Sequence, residues 1–537
     1  MDVQKRALGT AGWHVALGLV LLLALVLRLK GLHAPLLDHP GWRQGDTGAI
    51  ARNFALLQYN ILYPQTSYNG PPPNYVELEL QIVPFLAATL YKIFGIHELF
   101  GRLITIGFSL GTVAVLAFFA RWLFAAELAG IFAALLFAVM PASVYYGRTF
   151  TPDTAMVFFL TAALYAVARF MIDDEAMGLR ALLRSTALLT LAFLAKPVSL
   201  VGLVPVAVLA VERARAGRTV RWLRVAVLAL APVLLLIAYD RNVASHAEWH
   251  WASGITSLHV IPSLRGALAN VEAFRTKASY FRQMLGVLAS TVAGPFPFAL
   301  GVAGLLFLPA PTRSRSLLWA WLAGGLLYTF VVVTVERVDY YMLLMLPPLA
   351  LAGGAALARL VAAVRASTVP RNAQYALAAA GALVLAGAVL QDRSIAAPYY
   401  RYSARVYRNA VALDAALPPG VLIVMGHYDP SVLYYIGRYG WEEDPYLWTT
   451  FDEQSAIRKG ARYFVAIERN RFARNVELCA WMQRFPIVNA AAQWPVYETD
   501  PKKVAPDAEA RWQAFRHAEK AGRAREWLQA RGLCALR

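Results

Sequence analysis

The sequence predicts a polytopic α-helical membrane protein of about eleven spans plus juxtamembrane helices, followed by a small C-terminal α/β domain outside the cytoplasm. Three observations lead there. The 537-residue chain is 58% apolar and only 16% charged, with a mean hydropathy of +0.48, a balance that soluble domains seldom show. Apolar runs recur from residue 13 to about 390, many long enough to cross a hydrocarbon layer of about 30 Å. Beyond 391 the composition turns polar, with the short β-like runs VLIVMG (421–426) and RYFVAIE (462–468) and a helical pattern near 507–531. The expected domains are therefore 1–390 in the membrane and 391–537 outside it.

Taken in order, the N-terminus reads MDVQKRALGT ahead of the first apolar run. No small-residue cleavage site follows, so the run reads as a retained helix. Further spans are expected near 102–123, 128–145, 154–172, 181–195, 198–211, 222–240, 284–308, 316–335, 341–364 and 373–390. The stretch 79–95, ELQIVPFLAATLYKIFG, is ambiguous: it is short, carries Glu79, Gln81 and Lys92, and has Pro84 inside. The positive-inside rule decides it. If 79–95 does not span, the basic loops at 212–224, 311–316 and 365–372 fall on the same side as Lys5 and Arg6. It then reads as a juxtamembrane or re-entrant helix. Arg28 and Lys30, at the outer end of span one, are expected to snorkel to the headgroups.

This parity gives a cytoplasmic N-terminus. The loops 33–101, 146–153, 241–283 and 336–340 and the tail from 391 lie outside. Asp46, Glu79 and Asp153 then share one face with Arg43, Arg148, Lys196 and Arg337. The net charge of +18 (51 basic against 33 acidic residues) points first to cytoplasmic basic loops and anionic lipid. It does not point to nucleic acid, since no basic stretch carries interleaved stacking aromatics. Cys479 and Cys534 both fall in the polar C-terminal region. They form a disulfide if that region is extracytoplasmic, or remain two thiols; the sequence leaves both open.

Two polar stretches between apolar segments carry the candidate chemistry: HPGWRQGDT at 39–47 and YYGRTFTPD at 145–153. A helix is expected to start after Asp46 or Thr47, and an acid there is often only a cap. The crowding of His39, Trp42, Arg43 and Gln44 upstream argues for more than a cap, as does the second carboxylate at 153. Asp153 follows Pro152 at the mouth of a span, with Arg148 five residues earlier. An exposed ion pair there contributes only about 0–1 kcal/mol, so stability is a poor reason for it. Lys196, between two apolar runs and before Pro197, either snorkels or contacts a phosphate. Arg337, with Asp339 two residues on, is in a similar position. Tyr340 and Tyr341 read as interface-belt aromatics or as acceptor contacts.

The segments HPGWRQGDTGAIARNF, YVELELQIVPFLAATLYKIFG, YYGRTFTPD, LAKP and ERVDYYML resemble the GT-C membrane glycosyltransferases. They are most similar to the family 39 and aminoarabinose-transferase-like group, which includes protein O-mannosyltransferases. The resemblance covers roughly residues 10–365, and its most specific parts are the acids of the first two outer loops. It implies a sugar donor linked to a polyprenyl or dolichyl phosphate, transfer at the outer membrane face, and juxtamembrane helices in the first outer loop. The acceptor is a glycolipid, a glycan or a protein of the envelope. Two departures concern the sugar and the acceptor. Asp46 is followed by Thr47 where the family often has Glu, and GPPPNYVELE has prolines but no lysine.

The chemistry expected is a single displacement that inverts the anomeric carbon. The leaving lipid phosphate departs as an anion, and Arg43, Arg148, Lys196 and Arg337 are the cations expected to bind it. Asp46 is the candidate base for the attacking hydroxyl, with Asp153 and Glu79 orienting acceptor or sugar. His39, Tyr340 and Tyr341 are expected sugar or acceptor contacts. No metal or other cofactor is required by this scheme. Asp46, Glu79 and Asp153 would nonetheless suit a divalent ion in oxygen-donor chemistry. The competing readings are a transporter or flippase of an anionic lipid-linked sugar, and a silent scaffold for the C-terminal domain. The large outer loops, the lack of an internal repeat and the few charges deep in the spans disfavour transport.

Overall fold

The computed structural model describes residues 9–174, 177–247, 256–307, 312–368, 370–488, 493–531 and 534. Lys5 and Arg6, used in assigning sides, lie outside the described residues, as do parts of the loops 241–283, 311–316 and 365–372. The chain divides into two compact units. One comprises residues 1–33, 77–90 and 99–400; the other comprises 34–76, 91–98 and 401–537. The first outer loop is thus split, and most of it joins the C-terminal residues rather than the spans.

The first unit is a multi-pass helical bundle. Among the described residues, eight helices are long and apolar enough to cross a membrane; a ninth span results if the bent pair Val271–Val292 and Pro295–Leu306 is counted as one. The eleven runs read from the sequence differ from this for local reasons. The run 128–145 is a 13-residue helix, Glu127–Val139, followed by the short helix Pro141–Tyr146. Pro141 lacks the N–H that would continue the first helix, so the chain restarts there. The run 284–308 bends by 113°. Gly294 takes a left-handed φ of +83° at the bend and Pro295 follows it, so an unbroken helix is excluded. The run 181–195 is a helix of 17 residues, Leu179–Ala195. The ambiguous 79–95 stretch forms the 13-residue helix Ile82–Phe94, about 20 Å long and short of the hydrocarbon thickness.

Small residues let the bundle close. The helix Leu346–Ala366 packs against both Glu127–Val139 and Pro295–Leu306. A Cβ on Gly304 would lie 2.0 Å from the Ala352 carbonyl oxygen, and one on Gly354 2.5 Å from the Ala133 nitrogen. Backbones that approach so closely gain dispersion contact that larger side chains would prevent.

Arg28 corrects the sequence reading. It does not snorkel; it is fully buried. Its guanidinium donates to Ser109 Oγ (2.8 Å), Ser143 Oγ (2.8 Å) and the carbonyls of Ala24 (3.0 Å) and Ala138 (3.1 Å). A buried guanidinium is tolerated when its donors are met, and these four acceptors come from three separate stretches of chain.

The second unit is built on a five-stranded sheet. Its strands are β1 Leu422–Met425, β2 Tyr439–Glu442, β3 Ala461–Val465, β4 Ile487–Val488 and β5 Val496–Glu498, in the order β2-β1-β3-β5-β4. β1 is parallel to β2 and β3, while β5 runs antiparallel to β3 and β4. Parallel strands need a crossover, which the helices Pro430–Ile436 and Thr450–Arg458 supply. β1 and β3 are the two β-like runs expected from the sequence; β4 and β5, of two and three residues, are too short for alternation to reveal, and β2, as long as β1, reads YGWE and offers no apolar run. Helices Ala508–Lys520 and Ala524–Gln529 follow, within the stretch 507–531 whose pattern predicted helix. Cys479 and Cys534 are joined, their Cα atoms 6.3 Å apart.

The first-loop helix Gly41–Leu56 packs on Pro430–Ile436 in this unit. A Cβ on Gly45 would fall 2.2 Å from Ser431 Cα, which is backbone that cannot step aside. Gly45→Ala is therefore expected to destabilise this unit by about 1–3 kcal/mol through forced separation of the helices. Denaturant melts of the full chain in detergent, followed by tryptophan emission, measure it; an unchanged midpoint would contradict the close contact.

Three acids of the second unit are held protonated by burial. Glu453, which accepts from the Trp448 indole N–H (2.8 Å) through one oxygen and has no partner for the other among the described residues, is pushed up to about 8. Burial also raises Glu443 to about 7 and Glu442 well above the carboxylate range. The folded state therefore keeps protons that the unfolded chain releases above pH ~4.5, so stability falls as pH rises from there toward 8. Glu453→Gln is expected to flatten that decline. Melting temperatures between pH 4.5 and 8.5 check it, and parallel curves for both proteins would reject it.

Candidate functional site

In the first unit, the candidate residues gather around a line of tyrosines. Asp153 opens the helix Asp153–Ile172, and Lys196 ends Leu179–Ala195 in an extended conformation before Pro197. That break in the helix frees the Lys196 side chain to reach Asp153. Lys196 Nζ lies 2.5 Å from Asp153 Oδ1, and the two residues are 9% and 1% exposed. The other oxygen, Asp153 Oδ2, has no hydrogen-bond partner among the described residues. The ammonium also lies 4.7 Å from the Tyr341 ring centroid and 5.1 Å from that of Tyr340. Lys196 is thus a buried ion-pair partner rather than a snorkelling side chain.

Arg148 is fully buried. Its guanidinium lies over Tyr145 (4.7 Å) and Tyr400 (4.6 Å) and donates to the Gly31 carbonyl (3.3 Å). The rings of Tyr145 and Tyr146 (5.3 Å) and of Tyr146 and Tyr340 (5.6 Å) connect it to the Lys196 end. Tyr146 donates to Asp339 Oδ1 (2.6 Å), and Tyr399 donates to the other oxygen of Asp339. Cation–π contact is worth most when desolvated, so these rings hold both cations without neutralising them.

Glu79 is half-buried, and its carbonyl accepts from Gln81 (2.7 Å) and Tyr239 (3.2 Å). The Leu80 N–H donates to the Leu194 carbonyl (2.9 Å). That bond seats the Glu79 segment beside the chain end that presents Lys196. Arg337 differs from the other cations. It is exposed, adopts a left-handed φ of +51°, and lies over the Tyr280 ring at 4.5 Å.

In the second unit, the Gly41–Leu56 helix begins at Gly41 after Pro40, earlier than expected. Asp46 is accordingly inside the helix and not its cap. It is 3% exposed, with Arg43 Nη1 3.7 Å from Oδ2. Arg43, which the sequence grouped with the phosphate-binding cations, is thus a buried neighbour of Asp46 one helical turn away. The Tyr68 hydroxyl donates to Asp46, and burial together with the Asp46 and Glu442 carboxylates holds that hydroxyl protonated far above its ordinary range. Gln44 donates to Asp38 Oδ1 (2.7 Å) and fixes the turn before the helix. His39 is exposed. Tyr68, Glu442, Asp38 and Tyr399 are polar members of these clusters that the sequence did not single out, and none lies in a motif of fixed spacing; Asp339 lies in the ERVDYYML segment beside Arg337, where the sequence gives it no role of its own. Among the described residues, no group of three or more His, Cys, Asp or Glu side chains is arranged to hold a metal.

Residues 81–239 match the family described as dolichyl-phosphate-mannose-protein mannosyltransferase. The matched segment is similar to that family, and the fold is similar to that of GT-C membrane glycosyltransferases of the aminoarabinose-transferase kind. The crystal structure of ArnT from Cupriavidus metallidurans bound to undecaprenyl phosphate superposes with a TM-score of 0.58 at 15% identity, covering 93% of this chain and all of that one. The oligosaccharyltransferase of Archaeoglobus fulgidus in its apo form gives a TM-score of 0.59 at 13% identity, covering 93% of this chain and 76% of that one. The same organism's AglB, in complex with an inhibitory peptide and a dolichol-phosphate, gives 0.55 at 12%, covering 92% and 75%. At these identities the likeness is one of fold. No curated protein sequence matches the chain.

Proposed function

We propose that this protein transfers a sugar from a polyprenyl-phosphate donor to a hydroxyl of an envelope glycolipid, glycan or protein, at the outer face of the inner membrane. The observation that carries this reading is the pair of buried cations, Arg148 and Lys196, bracketed by tyrosine rings in a GT-C fold. Cations desolvated in this way stabilise phosphate charge as it develops, because little solvent screens them. The undecaprenyl phosphate of the Cupriavidus relative and the dolichol-phosphate of the archaeal one support a lipid-phosphate donor. The Cys479–Cys534 pairing supports an oxidising compartment for the C-terminal unit.

In the proposed step the acceptor oxygen bonds to the anomeric carbon as the bond from that carbon to the phosphate oxygen breaks. The electron pair leaves with the phosphate, whose charge Lys196 and Arg148 meet, with Arg337 offering an exposed entry cation. The acceptor proton passes to Asp46, which Arg43 and Tyr68 hold in place. Asp153 keeps Lys196 positioned and presents its open oxygen to a sugar or acceptor hydroxyl, and Glu79 orients the same substrates. His39, Tyr340 and Tyr341 supply contacts. One displacement inverts the anomeric centre.

Comparative mass spectrometry of envelope glycolipids and glycoproteins tests the reading, using a deletion strain with and without the wild-type gene at matched membrane abundance. The expected result is a glycosyl mass increment present only with the gene; its mass identifies the sugar and its carrier the acceptor. Identical envelopes would reject transfer and favour transport of a lipid-linked sugar.

A further inference from the structure

Asp392 sits in the first unit, on the helix Arg371–Ala396, and is not among the residues assigned above to transfer, although the cavity it lines shares Tyr400 with Arg148. It is 2% exposed, and neither of its carboxylate oxygens has a hydrogen-bond partner among the described residues. An ionised carboxylate left so would cost several kcal/mol. A Cβ on Gly294 would lie 2.5 Å from Asp392 Oδ1, so the carboxylate faces the N-terminus of the helix Pro295–Leu306, where negative charge is stabilised. The bundle therefore leaves this carboxyl without a hydrogen-bonding partner of its own among the described residues.

Asp392 also lines a cavity of about 100 Å³. Its other walls are of two kinds. Lys30, Arg393 and Tyr400 are polar or cationic, while Leu27 and Val389 are apolar. Lys30 is exposed and lies over the Tyr400 ring at 4.3 Å, facing an aromatic surface and not the carboxylate. At about 30 Å³ per water the space holds three or four waters, the size of an aminoethyl group. The flanking Val26 and Leu390 are 57% and 64% exposed on apolar helices and so turn toward lipid.

We infer that this cavity is a binding site for a phospholipid whose headgroup ends in a primary ammonium. The ammonium donates to Asp392, the phosphate is met by Lys30 and Arg393, and the acyl chains run along the lipid-facing side. A bare metal ion would satisfy the carboxylate but leave the apolar walls and the two cations unexplained. A phosphate lipid without an amine would leave Asp392 unpartnered.

Native mass spectrometry of the full-length protein released from detergent, titrated with ethanolamine, N-methylethanolamine, choline and glycerol phospholipids of identical chains, tests the site. The ethanolamine lipid should be retained about tenfold better than the choline and glycerol lipids, since a quaternary nitrogen donates no hydrogen bond and glycerol has no charge to pair. The N-methyl lipid, which keeps N–H donors, should bind nearly as well. Asp392→Asn should abolish the preference, and Lys30→Gln should weaken all four lipids alike. Equal retention of the four by the wild type, or preference for the glycerol lipid, overturns the assignment. That comparison needs no variant, so it decides the matter even if Asp392→Asn does not fold. A retained metal adduct with no headgroup preference overturns it as well.

Discussion

Replacing Lys196 with methionine is expected to lower sugar transfer by about 10²–10³-fold and to destabilise the bundle at the same time. Methionine keeps the length and the apolar stem but not the charge. Two effects separate here. Removing one preorganised cation from a developing anion costs about that factor in rate. Removing one member of a buried pair also strands the other, and Asp153, at 1% exposure, would keep an uncompensated charge at a cost of about 3–5 kcal/mol. The double variant Lys196→Met with Asp153→Asn distinguishes them. It has no stranded charge, so its melting temperature should return close to wild type, while transfer from a synthetic polyprenyl-phosphate sugar stays low. Recovery of both stability and transfer would show that the pair is structural and that Lys196 does not meet the phosphate.

The second large effect is expected at Asp46. Asparagine at this position keeps the side-chain volume and can still accept the Tyr68 hydroxyl, so stability should change by no more than about 1 kcal/mol. It cannot take a proton from the acceptor, and transfer should fall by about 10²–10⁴-fold. The pH profile adds a readout that a structural role would not move. The wild-type rate should fall at acid pH as the base is protonated, and that limb should be absent from the residual activity of Asp46→Asn. Undiminished transfer by a folded Asp46→Asn protein would leave Asp46 a buried partner of Arg43 and no more.

Much of this architecture is legible without coordinates, and the failures have identifiable causes. Leucine-, alanine- and valine-rich runs announce spans because length and hydropathy are local properties. The breaks at Pro141 and at Gly294–Pro295 were also visible as residues, but each apolar run continues across them, and a hydropathy reading cannot say which proline ends a helix. The helix Gly41–Leu56 carries almost as many polar as apolar residues, so no amphipathic period marked its start, and Asp46 read as a cap. Arg28 read as a headgroup anchor because nothing near it in sequence reveals Ser109, Ser143 and the Ala138 carbonyl as partners.

By itself, the sequence determined that this chain crosses a membrane many times, that a polar α/β region follows the spans, and which two stretches concentrate acids and bases among apolar segments. Composition and periodicity suffice for that, because burial in lipid and strand alternation impose constraints residue by residue. Only the tertiary structure decided that Lys196 reaches across 43 residues to Asp153. It also decided that Arg148 is held between its near neighbour Tyr145 and Tyr400, far along the chain, and that the Asp46 helix belongs with the C-terminal sheet. Each of those outcomes depends on how buried polar groups find partners once backbones are packed. Packing brings together side chains whose separation along the chain carries no signal of their meeting.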